Sequence, residues 1–243
     1  MKKIFIALLS LAFANVNAQN ASTATSTQTA DEVIQKYAGA MGGLDNFNKI
    51  KSAKLTGTVS AQGMDLPITI QIINGRAMRS DVEVMGQTIT NSYKDGKGWK
   101  INPLQGVASA TESTAEELNE AKSQSMLASQ LMDYKARGYK VELSGQENVE
   151  GANAYKIKLT TGDKKETTYF VDSKTFLVIK SISKREMMGQ EFEVETIFGD
   201  VKEFGGVKFS MSRTQKADGQ VFQEIHFDKI ELNIPIDEKI FDK

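Results

Sequence analysis

Very few side chains here could do covalent or metal chemistry. His226 is the single histidine and cysteine is absent. A Ser–His–Asp triad would therefore have to use His226, and zinc sites built on two or three histidines cannot form. Thiolate ligands, a cysteine nucleophile, a disulfide framework and a lipid-modified N-terminal cysteine are likewise excluded. No Gly-rich phosphate loop, G-x-S-x-G or H-E-x-x-H segment occurs. His226 shares the polar phase of its segment with Glu224 and Asp228, which reads as a solvent-facing row rather than a catalytic one. Glu191, Glu193 and Glu195 fall on one strand face, where a row of carboxylates is more often a solvated exterior than a cation site or acid–base pair. The expectation is a protein that is not an enzyme and needs no metal or cofactor.

What the sequence offers in quantity is apolar surface at period two. The chain has 243 residues, 40% hydrophobic and 25% charged, the composition of a folded domain. From Ser52 to about Asn102, Leu55, Ile68, Ile70, Ile72, Met78, Val82, Val84 and Ile89 alternate with polar partners. Gly63, Asn74-Gly75, Met85-Gly86 and Asp95-Gly96 supply the turns. Strand character returns after residue 140 in the runs around Val141, Tyr155-Ile157-Leu159, Tyr169-Val171, Phe176-Val178, Phe192-Val194-Phe198, Val207-Phe209-Met211, Val221-Ile225-Phe227 and Ile230-Leu232. Turns at Gly151, Gly162, Asp172-Ser173, Gly189, Gly205-Gly206 and Asp218-Gly219 separate them. Met85-Gly86-Gln87 and Met188-Gly189-Gln190 are a faint echo, read as two hairpins of one meander. Ten or eleven strands in all are expected, antiparallel because the connections are short.

Two helices interrupt this rhythm. Thr29 and Glu32 form a capping box ahead of Val33, Ile34, Tyr37, Ala38 and Met41, which share one helical face, and Gly42-Gly43 stops that helix. Leu44, Phe47 and Ile50 suggest a short second turn. Residues 112–137 lack Gly and Pro and are rich in Ala, Glu, Gln, Lys, Leu and Met, so they read as one inserted helix opened by a Ser113/Glu116 capping box. Its weak apolar stripe includes Leu118, Leu131 and Met132.

The N-terminus adds Lys2-Lys3, an apolar run from Ile4 to Ala14, and small residues before Gln19, the pattern of a secretory signal peptide over residues 1–18. That run is too short to span a bilayer. Residues 19–29 contain no large apolar side chain and read as a flexible polar leader, leaving 30–243 as a single domain. Removal of the signal leaves 28 basic against 31 acidic residues, a net charge of −3, with the two signs interspersed. No nucleic-acid footprint results. The periplasm is the expected compartment, with the extracellular medium as the alternative, and the chain is expected to be monomeric.

A meander this wide with one apolar face must curl. A β-sandwich is one solution. A strongly curved, unclosed half-barrel with its concave side covered by the N-terminal helix and the inserted helix is the other, and it accounts for the helices. The inward face would carry Ile68, Ile70, Ile72, Met78, Val82, Ile89, Trp99, Tyr155, Ile157, Tyr169, Phe192, Val194, Phe209 and Ile225. Taken singly, each of these reads as core, and Trp99 as a hairpin anchor. Together they make a surface able to hold a hydrocarbon chain, at roughly 0.8 kcal/mol per methylene removed from water.

Asp95-Gly96-Lys97, Trp99 and Asn102-Pro103, placed after two one-sided hairpins and before an Ala-rich insertion, resemble periplasmic lipoprotein carriers of the LolA/LolB type. The chain is more closely similar to the broad group of exported outer-membrane lipoprotein-sorting proteins. Tyr37-Ala38-Gly39-Ala40-Met41-Gly42-Gly43, leading through Ile50-Lys51 to Leu55-Thr56-Gly57-Thr58, looks like their opening, and Ile234-Pro235-Ile236-Asp237 with Ile240-Phe241 like their close. The resemblance implies an unclosed barrel that takes lipid or the acyl chains of lipoproteins under a helical lid, here Leu118, Leu131 and Met132. One position departs from it: where the carriers have a latch arginine, this chain has Ile73, and Arg76 and Arg79 do not align with it. A second expectation is an envelope interaction protein that docks a partner through a strand edge or apolar patch. A hydrolase using paired carboxylates ranks third.

Overall fold

The computed structural model describes residues 28–187 and 190–243. The expected signal peptide over residues 1–18 and nearly all of the expected polar leader lie outside the described residues, as does the Met188-Gly189 turn. Helices α1 (Ala30–Ala40) and α2 (Leu44–Lys49) precede β1 (Ser52–Ala61), β2 (Met64–Ile73), β3 (Ala77–Val84), β4 (Gln87–Lys94), β5 (Lys97–Asn102) and β6 (Val107–Glu112). After α3 (Ala115–Gln124) come β7 (Lys140–Val149), β8 (Ala152–Thr160), β9 (Glu166–Asp172), β10 (Val178–Met187), β11 (Gln190–Phe204), β12 (Val207–Ala217) and β13 (Gln220–Leu232).

All thirteen strands form one antiparallel sheet in the order β6-β5-β4-β3-β2-β1-β13-β12-β11-β10-β9-β8-β7. The chain lays down one meander outward from β1 and a second inward from β7, and the two meet where β1 pairs with β13. Edges β6 and β7 do not pair with each other, so the sheet is an open half-barrel. It has more strands than the ten or eleven expected, and β6 is the clearest omission, because Val107-Ala108-Ser109-Ala110-Thr111-Glu112 lacks an apolar alternation.

Turn chemistry fixes the register. Gln62-Gly63, Met85-Gly86, Asp95-Gly96, Glu150-Gly151 and Asp218-Gly219 each take positive φ at both positions, the geometry whose twist matches a two-residue hairpin. The Thr29/Glu32 capping box forms as read, and Val33, Ile34 and Tyr37 face the core.

The inserted helix is shorter than expected. It occupies Ala115–Gln124 and starts from the overlapping frame, a Thr114/Glu117 capping box. Residues 125–139 are not helical, because tertiary hydrogen bonds compete for their backbone. Gly75 N donates to the Ser125 carbonyl at 2.9 Å, and Leu127 N donates to the Asn74 side-chain oxygen at 3.1 Å. These two bonds pull the chain out of the helical ladder where propensity alone would continue it.

Candidate functional site

Residues directly opposed in antiparallel strands share a face, so register decides which predicted lining residues meet. Gly57, Ile68, Val82 and Ile89 form one row across β1 to β4, and Ala53, Ile72, Met78 and Tyr93 another. Ile70 lies between these rows, opposite Leu55. On the far side, Ile157 opposes Tyr169 and Tyr155 opposes Val171, while Phe192 and Val194 oppose Arg185 and Ser183. Phe209 lies two and four residues before Met211 and Arg213 on β12, and Ile225 opposes both Val59 and Arg213. All of the predicted lining residues except Trp99 therefore share one face, the concave one on which the helices pack.

Trp99 lies on the convex face. A two-residue turn at Asp95-Gly96 pairs Tyr93 with Gly98 and Ser92 with Trp99, which puts Trp99 in phase with Arg79 rather than with Met78. It is covered there by the C-terminal segment, whose short helical turn Glu238–Phe241 buries Phe241. Trp99 Nε1 and Ser92 Oγ both donate to the Phe241 carbonyl oxygen, at 2.8 and 3.0 Å, and Arg79 Nη1 donates to the Ile240 carbonyl at 2.7 Å. Arg76, bridging Asp95 and Glu238, closes the outer edge of this clamp.

The concavity is unevenly filled. Over β7 to β9 and the start of β12 it is packed by α1, α2 and the 125–139 segment, where Val33, Ile34, Tyr37, Phe47, Leu131, Met132 and Tyr134 meet Tyr155, Ile157, Leu159, Val171 and Val207. Leu131 is 0% exposed and Met132 is buried. These two expected lid residues are thus fixed core, a correction that follows from the 125–139 segment docking onto the sheet instead of continuing a helix. Tyr134 and Lys135 both bond to Asp31 of α1, which ties the segment down further.

Over β1 to β5 the cover is thin. Among the described residues α3 and Leu127 lie there, and α3 contributes no fully buried side chain. Leu118 and Ala121 rest against the cluster of Leu55, Ile68, Ile72, Met78 and Tyr93, and Lys100 pairs with Glu117 at the helix start. A cleft of about 300 Å³ opens between α3 and the β4–β5 hairpin, bordered by Tyr93, Gly96, Leu118 and Lys122. A recess of about 270 Å³ on the solvent side of α1, at Glu32, Gln35 and Lys36, is not part of this face. Ile70, Val82, Ile89, Phe192 and Ile225 are all partly open.

The concave face also carries polar groups, among them Arg185 and Ser183 opposite Phe192 and Val194, and Lys100 opposite Asn91, with Lys100 and Arg185 paired to Glu117 and Glu120 of α3. Tyr37 donates to Ser129 Oγ at 3.1 Å, and burial pushes its phenol above the ordinary value, as it does that of Tyr169. Arg213 stands exposed within the same face, and desolvation by the protein around it lowers its guanidinium from the usual range. Sequence reading did not single out Arg213, although its spacing of two from Met211 and four from Phe209 assigns it the inward phase. The convex face carries the expected charges. Glu191 pairs with Lys184, Glu195 with Lys180, and the exposed His226 lies 3.9 Å from Asp228. No group of three or more potential metal ligands occurs among the described residues.

Solved structures share this architecture. A LolA superfamily protein from Nitrosomonas europaea superposes with a TM-score of 0.57 at 14% identity, covering 89% of this chain and 98% of its own. The fold is the LolA fold. A DUF1329 family protein from Desulfovibrio piger gives 0.59 at 11% identity, with 89% and 98% covered. A domain from Vibrio parahaemolyticus named for outer membrane lipoprotein sorting gives 0.58 at 10% identity, with 88% and 97% covered. No family model matches the sequence, and no curated protein matches it. No helix among the described residues is long and apolar enough to cross a membrane.

Proposed function

We propose that this protein binds lipid, or the acyl chains of a lipoprotein, on the concave face of its LolA-like half-barrel and carries that cargo through the periplasm toward the outer membrane without catalysing a reaction. The observation that carries this reading is the contrast within one face. The part over β7 to β9 is filled by the chain itself, whereas Ile70, Val82, Ile89 and Ile225 on the same face stay partly open and α3, which packs against β3 to β5, buries none of its own side chains. An apolar face left so thinly covered gains by taking hydrocarbon. Exchange would follow mass action: α3 moves aside, the chain enters, and a more hydrophobic acceptor removes it. The signal-like residues 1–18 and the lipoprotein-sorting name of one fold neighbour agree with an envelope role.

Native mass spectrometry of protein purified from a bacterial periplasm, with organic extraction of the same sample, tests it. A stoichiometric acylated species is the expected result. A bare polypeptide mass together with failure to bind fluorescent fatty acids overturns the carrier reading. Docking of an envelope protein at edge strand β6 or β7 would then take its place.

A further inference from the structure

Arg213 is an anomaly in an otherwise apolar row. Register aligns Leu66, Val59, Ile225, Arg213 and Phe198 across β2, β1, β13, β12 and β11 on the concave face. The guanidinium lies over the Phe198 ring, 5.9 Å from its centroid. It has no hydrogen bond or ion pair to any described residue. Each of the other four arginines has a carboxylate: Arg76 has Asp95 and Glu238, Arg79 has Asp81, Arg137 has Asp133, and Arg185 has Glu120.

Arg213 is exposed on this face and has no counter-charge in the free protein, so its guanidinium is open to an incoming anion. A guanidinium is also the side chain best shaped to take two oxygens of a carboxylate or phosphate at once. A neutral phenol with an uncommitted hydroxyl, Tyr169, belongs to the same face. Tyr37 lies within electrostatic range of both Arg213 and Tyr169, and burial keeps both phenols protonated. The Tyr169 hydroxyl makes no hydrogen bond to any described residue. Beyond Ile225 the face continues as Ile68, Ile70, Val82 and Ile89, with nothing charged among them.

We infer that Arg213 anchors the anionic end of an amphiphilic ligand, a carboxylate or phosphate group whose hydrocarbon chain lies along the apolar rows toward β2 to β4. The inference rests on the carrier reading and narrows it: the cargo is an acidic amphiphile held by its head as well as its tail. Arg213 is a specificity residue that works by pairing with the head group, while the tail supplies most of the affinity.

Fluorescence titration of the purified protein with cis-parinaric acid and with its methyl ester separates head from tail, since the two share one chain. The expected result is acid binding at least about ten-fold tighter than ester binding. Arg213→Met should erase that ratio by weakening the acid alone, and Arg213→Lys should keep part of it, each with an unchanged melting temperature. Equal binding of acid and ester by the unsubstituted protein overturns the inference and leaves the carrier reading standing. Failure of both probes to bind removes the carrier reading and the inference together. Displacement of the bound acid by millimolar inorganic phosphate, lost in Arg213→Met, would make this a site for free anions and overturn the amphiphile assignment. Retention of the acid under phosphate supports it.

Discussion

Trp99 Nε1 donates to the main-chain oxygen of Phe241 at 2.8 Å across 142 positions of sequence, fastening the C-terminal turn to the convex face of β3 to β5. The half-barrel is therefore packed on both sides at this end, with Tyr93 and Met78 inside and Trp99 and Phe241 outside. Phe241 is 2% exposed. Phe241→Ala should cost about 3–5 kcal/mol, the range for emptying a buried aromatic site. Trp99 is the only tryptophan, so its emission should shift red in the folded variant, and urea titration followed at that wavelength measures the loss. Binding of a fatty-acid probe should be nearly unchanged, because the proposed site lies on the opposite face.

Leu118 and Leu131 belong to one stretch of sequence but to different mechanical parts. Leu131 is sealed against α1, α2 and the strands β7 to β9, whereas Leu118 sits half-open on α3 above Tyr93. Leu131→Ala should destabilise by about 2–5 kcal/mol. Leu118→Asp should change stability by no more than roughly 1 kcal/mol while speeding release of a bound fatty-acid probe. Equal effects of both substitutions on melting and on release would show that α3 is not a separable cover.

Strand phase is where the sequence speaks most clearly. Alternation alone identifies Ile68, Ile70, Ile72, Met78, Val82 and Ile89 as one face, and the register confirms it. Trp99 goes astray because aromatic character suggests the interior, yet counting back across the two-residue Asp95-Gly96 turn pairs it with Ser92 and assigns it outward. That arithmetic was legible. The C-terminal clamp that covers Trp99 was not, since no local pattern reports a contact made 142 positions away. Residues 125–139 mislead for a different reason: their composition favours a helix, and long-range bonds from Asn74 and Gly75 override it. Arg213 is legible as inward-facing from its spacing, but its lack of a carboxylate partner is a property of the fold alone.

Asp172 organises the turn between β9 and β10. Burial would raise its carboxyl, but hydrogen bonds from Thr175 N at 2.6 Å, Thr175 Oγ1 at 2.8 Å and Lys174 N at 3.0 Å outweigh that and hold it below the ordinary value of 3.8. The same turn places Phe176 in the left-handed region and stacks it on Tyr155 at the sheet edge. A carboxyl lowered by folding contributes stability that is complete above the unfolded value and is lost as pH falls through the lower folded one. Unfolding free energy should therefore decline below about pH 4, as measured by urea titration across pH 2–6. Asp172→Ala should lose about 2–3 kcal/mol at neutral pH and flatten that acid-side slope. An unchanged slope would assign the acid sensitivity to other carboxylates.

Gly42 is the point at which the first helical pair touches the sheet. It takes φ +103° between α1 and α2, a conformation open to glycine and strained for any L side chain. A methyl group there would also lie 2.2 Å from the Gly206 carbonyl oxygen and 2.8 Å from the Val207 Cα, both backbone atoms that cannot rotate away. Lys208 N donates to the Met41 carbonyl at 2.8 Å, so the approach is locked by a main-chain bond from β12 to the end of α1. Gly42→Ala must either break that bond or shift α1 away from Val207, and the backbone strain and overpacking together should cost about 2–4 kcal/mol. Gly43, also at positive φ, has open space around its added carbon, so Gly43→Ala carries the backbone strain alone and should lose only about 1–2 kcal/mol. Comparing the two by thermal unfolding isolates the contact. If both fall equally, the close approach of Gly42 to β12 adds nothing, and the helical pair is held by Val33, Tyr37 and Phe47 alone.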